Sequence, residues 1–292
     1  AAIALGLMTA RLMLKSAVFP LHFWLPPAHA NAPAPVSALL SALMIKASFY
    51  IALRMWLWVF PGSISIGAAG PFLGVLGAAA IVYGSVQALR QPRLKLLIAY
   101  STVAQLGYLF VFFALSMRPG GVELALQAVV FFAVSHAFAK AALFMCSGAI
   151  MRSYGHDWID GLRGSAERLP AVLFAFGIAG VSLMGLPPSG GFVGKYLLIG
   201  VAIGQGQWFW AAVLAVGGLL AAAYIFRVLN TSLSAAGAPS AGSPVRGGLI
   251  WPAWGLAVVA LLLGLLAYRP LELITIGAPH FEMLQTVAGG AR

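Results

Sequence analysis

Four lysines lie inside long apolar stretches of this chain, with no carboxylate in the same stretch. Lys15 sits in LMTARLMLKSAVF, Lys46 in SALLSALMIKASFYIAL, Lys140 in SHAFAKAALFMCSG and Lys195 in GGFVGKYLLIGVA. A charged ammonium in hydrocarbon costs at least about 2.5–3.5 kcal/mol, even on the lenient insertion scale. The cheaper state is a neutral amine, and an amine poised between its two states takes up and releases protons. His136 stands four residues before Lys140, on the same helical face and about one turn away. Two basic groups that close oppose each other's protonation, which keeps at least one of them neutral and ready to accept. The chemistry these residues point to is proton transfer through a membrane.

Other polar residues extend or limit that path. Ser135, Ser147 and Tyr154 offer hydroxyls along the His136–Lys140 helix. Lys46 has Ser41 at i−5 and Ser48 at i+2, neither of which shares its face in a regular α-helix. Its plainer role is to bond backbone carbonyls of a broken helix. Arg11 and Arg54 cannot relay protons, because guanidinium does not deprotonate in proteins. Arg54, beside Trp56 and Trp58, reads as an interfacial anchor. His22 and His29 lie in a proline-rich stretch, where they either gate access or are simply solvated. Lys95, in RQPRLKLLIAY, stands at a helix start, as a topology signal or as part of the access route. His156 and His280 fall in polar connections and read as solvated.

The elements that must position these groups are membrane helices. The 292 residues are 62% hydrophobic and only 8% charged, against roughly 25% charged in soluble domains. Segments long and apolar enough to cross a bilayer run over 1–19, 36–60, 71–90, 94–116, 122–150, 169–204 (interrupted), 207–229 and 248–268, about eight crossings by the usual span length. An all-α polytopic membrane protein follows, since lipid admits no irregular backbone on an exposed surface. FPLHFWLPPAHANAPAP (19–35) and GLPPSGGFVGK (185–195) break the helical pattern beside Lys15 and Lys195. Proline and glycine at that density free backbone carbonyls, and discontinuous helices of this kind mark ion sites in transporters. Small-residue spacing at Gly70, Gly74 and Gly77 predicts close helix approach.

Arg90, Arg93, Lys95, Arg152, Arg163, Arg168, Arg227 and Arg246 fall at or beside loops on one side, which the positive-inside rule makes cytoplasmic. The other side holds Arg118, Arg269 and Arg292. Among the acids, Asp157, Asp160 and Glu167 lie in one loop, Glu123 opens a helix, Glu272 follows the last span and Glu282 is in the tail. The net charge of +11 is thus topology signal plus buried lysine, and it does not indicate nucleic acid. The single cysteine, Cys146, excludes an internal disulfide framework and reads as a small buried hydrophobe. The sequence has no metal-ligand spacing, phosphate-binding loop or dinucleotide fingerprint, so no cofactor is expected in this chain. It opens AAIALGLMTA, directly in an apolar helix and without an initiator methionine, which reads as a piece of a longer protein.

KSAVFPLHFWLPPAHANAPAPVSALLSALMIK, LKLLIAYSTVAQLGYLF, SHAFAKAALFMCSGAI and GLPPSGGFVGKYLL resemble the antiporter-like subunits of respiratory complex I, Mrp-type cation/proton antiporters and energy-converting hydrogenases. The resemblance runs in order over nearly the whole chain. It implies a fold of fourteen core helices with two inverted five-helix repeats, of which this chain looks like the seventh helix onward. On that basis residues 1–60 are the end of the first repeat, 61–229 the second repeat, and 230–292 a loop, a final span and a tail. By motif position Lys15 resembles the lysine of the broken seventh helix and Lys46 that of the eighth. His136 and Lys140 fall on the eleventh helix, and Lys195 resembles the charged residue of the broken twelfth. The glutamate expected on the fifth helix lies outside this chain.

The reading is therefore a proton-conducting, non-catalytic subunit of a complex-I-like NADH/quinone oxidoreductase, placed by its resemblance in a bacterial inner membrane among other membrane subunits. Lys15, Lys46, His136, Lys140 and Lys195 would form the relay, with His22, His29 and Lys95 at the access side. The alternatives are a sodium/proton antiporter subunit, a hydrogenase membrane subunit, and a non-conducting structural bundle.

Overall fold

The computed structural model describes residues 2–59, 66–116, 121–234, 245 and 247–276. Phe60 and Arg118, the loop with Arg246, and the tail with His280, Glu282 and Arg292 lie outside the described residues. The helices are α1 (Ala2–Lys15), α2 (Leu25–Asn31), α3 (Ala34–Leu39), α4 (Ile45–Arg54), α5 (Ile66–Arg90), α6 (Leu94–Leu115), α7 (Gly121–Tyr154), α8 (Ser165–Arg168), α9 (Pro170–Met184), α10 (Gly190–Gly204), α11 (Trp208–Leu233), α12 (Gly247–Leu265) and α13 (Tyr268–Ile276). No strand occurs among the described residues, apart from an isolated bridge between Arg93 and Trp158.

Six stretches are long and apolar enough to span a membrane: Ala34–Val59, Ala69–Arg90, Leu94–Leu115, Gly121–Tyr154, Trp208–Leu233 and Gly247–Leu265. The interrupted segment at 169–204 resolves into two 15-residue helices, α9 and α10. At about 1.5 Å per residue each covers about 22 Å, too short to cross the hydrocarbon alone. The first expected span is only the 14-residue α1, broken from α2 where the proline-rich stretch begins. Both breaks contain a cis X-Pro peptide, Phe19–Pro20 and Pro187–Pro188.

The stretch 19–35 is not simply a loop. Pro26 and Pro27 open α2, because proline at the first helical positions forfeits an amide that would be unbonded anyway. The next helix is also irregular: Leu40–Met44 and Met55–Val59 are π-helical turns on either side of α4.

Helix α6 is the axis of the bundle, buried along almost its full length and packed by α5, α7, α11 and α2. Glycines set its distance from α5. A Cβ at Gly77 would come within 2.7 Å of the Gly107 carbonyl, and one at Gly107 would collide with the Gly77 carbonyl. Gly74 likewise leaves room for Ala114 and Trp210. Small residues replace the hydrophobic effect as the means of helix contact in lipid. Gly107→Leu is expected to destabilise the bundle by about 2 kcal/mol or more through overpacking against backbone. A thermal unfolding midpoint unchanged from wild type would refute that.

At one end the connections interlock. Arg227 Nη1 donates to the Leu89 carbonyl and, at 3.0 Å, to the Gln91 carbonyl. The Ile159 amide bonds the Pro92 carbonyl at 2.8 Å, and the Gly164 amide bonds the Ser234 carbonyl at 2.9 Å. The loops whose basic residues share a side in the sequence thus meet at one end of the bundle.

Candidate functional site: a buried row of lysine and histidine

Helix α6 serves as a ruler for depth. Lys95, its second residue, stands at the basic end and donates through Nζ to the Ala32 carbonyl just past α2. Ser101 is six residues further in and Tyr108 thirteen, about 9 and about 20 Å along the axis. Lys140, from α7, is fully buried and reaches α6 at the first of these levels. Its Nζ donates to the Ile98 carbonyl at 2.6 Å and to the Ser101 hydroxyl. Lys195, from α10, lies at the second level, with Nζ 4.6 Å from the centre of the Tyr108 ring. Lys46, from α4, donates at 2.6 Å to the Ser41 carbonyl.

Two buried histidines lie among these lysines. His136 is buried among Lys46, Lys140 and Lys195, each close enough to act on it electrostatically. His29 stands in the same relation to Lys140, Lys95 and Lys46. Their contacts place them from the basic end inward as Lys95, His29 at Phe144, Lys140 and Lys46 at the Ile98–Thr102 level of α6, His136 one turn further along α7, and Lys195 at Tyr108. His29 stacks on Phe144 at 4.5 Å and His136 on Phe132 at 5.7 Å. In both rings neither nitrogen has a hydrogen-bond partner among the described residues. A buried imidazole without fixed partners can accept at one nitrogen and donate from the other. The shape of each ring's pocket is set by aromatic packing, and no hydrogen bond locks its tautomer.

Each buried lysine is bonded by backbone. The C-terminal carbonyls of α9 show the pattern fully. Those of Val181 and Ser182 accept from Gly185 and Leu186 amides, with Gly185 in the left-handed region at φ 83°. The remaining two, Leu183 and Met184, accept from Lys195 Nζ at 2.8 and 3.2 Å. Lys195 thus completes the helix terminus, whose last four carbonyls have no intrahelical partner. Lys195→Met is expected to leave both unpaired, destabilising the protein by about 1–3 kcal/mol. Chemical denaturation of the full-length protein would read the change, and a midpoint equal to wild type would contradict it.

Several sequence readings need correction. Lys15 ends α1 exposed, and the structure does not bring it into the buried row. Of the two roles left open for His22 and His29, solvation does not hold: His29 is wholly buried, and His22 is 8% exposed, packed between Phe19 and Tyr83. Ser41 meets Lys46 only through its backbone carbonyl, left free at the π-helical turn, as in the plainer role read from the sequence. Its hydroxyl lies 3.2 Å from that of Thr102. Of the hydroxyls beside His136, Ser135 bonds Ser182 at 3.2 Å and so ties α7 to the end of α9, whereas Ser147 bonds its own helix at Phe144. His156 is half-buried. Arg54 lies 5.0 Å over Trp58 as an anchor would, but Trp56 is buried and bonds Thr9 at 3.0 Å. Cys146 is fully buried.

One site residue escaped the sequence reading. Asp157 is 2% exposed and is the one buried carboxylate among the described residues. Its Oδ1 accepts from Arg93 Nε at 2.8 Å, its Oδ2 from the Lys95 amide at 3.2 Å, and its backbone carbonyl from the Leu94 amide at 2.7 Å. It therefore caps α6 from a distant loop and fixes the backbone that carries Lys95. Among the described residues no group of His, Cys, Asp and Glu side chains could hold a metal ion.

Comparison with known proteins fits this architecture. Residues 1–221 match the family described as NADH:quinone oxidoreductase/Mrp antiporter, TM. The chain is 37% identical over 230 residues to NADH-quinone oxidoreductase subunit N of Desulforudis audaxviator, covering 79% of this chain and 45% of that protein. It is 36% identical over 212 residues to subunit M of Rhodobacter capsulatus, covering 72% and 40%. It thus spans about half the length of the curated relatives it matches. Among solved structures, the Mrp complex of Dietzia sp. superposes with a TM-score of 0.85 at 28% identity, over 94% of this chain and 58% of that one. Respiratory complex I of Thermus thermophilus gives 0.74 at 28% identity, over 95% and 60%. With most of its length inside the family match and the same helical fold in both kinds of complex, this chain belongs to the membrane-subunit family shared by NADH:quinone oxidoreductases and Mrp antiporters.

Proposed function

We propose that this chain is the proton-conducting part of an antiporter-like subunit in a redox-driven membrane complex, and that the buried row is its path. The observation that carries the reading is the alternation itself. Two imidazoles with unpartnered nitrogens stand between lysines drawn from four different helices. Lys95 and His29 take up protons at the basic end, which is cytoplasmic by the positive-inside rule. Lys46, Lys140 and His136 pass them inward, and Lys195 delivers them towards the opposite side. Lys15 faces outward in this chain, so any part it takes in the relay runs through groups beyond the residues described. The partners are other membrane subunits, as in the complexes of its relatives, and electron transfer belongs to them.

A cation/proton antiporter of Mrp type is the second reading, favoured by the higher TM-score with the Mrp complex. Proton movement by vesicles containing the full-length protein in its native complex separates the two. Movement driven by quinone reduction and indifferent to sodium supports the first reading. Dissipation of an imposed pH gradient only when sodium is added would overturn it in favour of the second. Transport unaffected by His136→Leu would remove the row from either.

A further inference from the structure

The surroundings of Lys195 Nζ are more specific than a helix terminus requires. Two carbonyls, of Leu183 and Met184, accept from one side. The face of the Tyr108 ring covers another at 4.6 Å. A buried aromatic face attracts an ammonium ion, most strongly where water is excluded. Tyr108 is itself held rigidly: it is wholly buried, its hydroxyl donates to the Leu214 carbonyl at 2.9 Å, and its ring packs on Phe132 at 5.3 Å. A Cβ at Gly217 would strike the Tyr108 hydroxyl, so a glycine of α11 makes room for it. The aliphatic stem is guided as well, since a Cβ at Gly185 would lie 2.6 Å from Lys195 Cδ. Directional carbonyl acceptors, a π face and an apolar stem channel match a primary alkylammonium. A hard cation is held by oxygen ligands on several sides, and two carbonyls and a ring do not supply them.

We infer that Leu183, Met184 and Tyr108 form a receptor for a primary alkylammonium group, which Lys195 fills in the native chain, and that Tyr108 is its positioning residue. The relay depends on this placement only if the function proposed above holds; the receptor itself does not.

Lys195→Ala in the full-length protein within its native complex removes three carbons and the nitrogen. Propylammonium has those same four heavy atoms. Thermal unfolding of the variant is expected to shift upward saturably with propylammonium chloride, by about 2–4 °C at tenfold excess over Kd. Equal concentrations of sodium chloride, tetramethylammonium chloride or propan-1-ol should not reproduce the shift. It should persist when Tyr108→Phe is added and vanish when Tyr108→Leu is added. A folded variant that ignores propylammonium, responds equally to sodium, or keeps its response with Tyr108→Leu overturns the inference. If Lys195→Ala does not assemble, Tyr108→Leu and Tyr108→Phe in the native background decide the matter. The first should change the pH profile of transport and the second should keep that of the native protein; two identical profiles in a complex whose transport Lys195→Arg still lowers would overturn the assignment, since Lys195 would then act in transport without Tyr108 placing it. Amine binding without recovery of transport would uphold the receptor and remove Lys195 from the relay.

Discussion

Lys46→Ala, in the full-length protein within its native complex, is expected to lower proton transport at least tenfold while the complex still assembles. The structural loss is small. Lys46 makes one hydrogen bond, to the Ser41 carbonyl, and a single bond of that type is worth about 1 kcal/mol. Its side chain also lines the wall of an apolar groove of about 770 Å³ between α4 and α7, among Leu43, Tyr50, Val134 and Ala137, so truncation creates no sealed cavity. The functional loss should be large, because Lys46 and Lys140 are the two lysines whose charges reach both His29 and His136, and Lys46 alone brings α4 to that level of the row. Transport measured with a pH-sensitive dye in vesicles, with subunit composition checked alongside, separates the two effects. Normal stoichiometry in the assembled mutant would end the central role of Lys46.

The second large effect is expected at Asp157 and falls on stability. Asp157→Ala removes a helix cap, usually worth about 0.5–2 kcal/mol. It also leaves Arg93, whose side chain is 31% exposed, without its carboxylate. Together these should destabilise the protein by about 2–4 kcal/mol, the upper part of which reflects breaking a partly buried ion pair. Asp157→Asn keeps an acceptor for the Lys95 amide and should recover part of the loss. Equal unfolding midpoints for the two variants would show that capping contributes nothing. Because Lys95 is carried by the same helix turn, Asp157→Ala should also slow proton uptake from the basic side, in proportion to the loss of order there.

Apolar length, the two breaks and the intramembrane lysines were all legible in the sequence, because the cost of charge in hydrocarbon depends on composition alone. Helix phase was not. A π-helical turn replaces the regular period before Lys46 and presents the Ser41 carbonyl to it, and no residue in LLSALMIK announces that turn. The setting of His29 was open for a different reason: consecutive prolines suit a loop as well as a helix start, and only the fold shows that Pro26 and Pro27 open a helix. Asp157 lies 62 residues from the amide it caps, and Tyr108 is brought to Lys195 by α6 and α10 packing. Contacts of that range leave no local pattern. The exposure of Lys15 follows from the face of α1 that packs on α4, which composition does not determine.

The depth of the row has an electrical consequence. From Lys95 to the level of Tyr108 is thirteen residues of α6, about 20 Å of a hydrocarbon layer about 30 Å thick. A proton that moves from one end of the row to the other crosses about two-thirds of the membrane field, which is worth about 1.5 kcal/mol per 100 mV. Such a potential would shift the ratio of proton occupancy between Lys95 and Lys195 by about tenfold. Under the function proposed above, the side chains of the row would therefore also register the voltage against which the complex works.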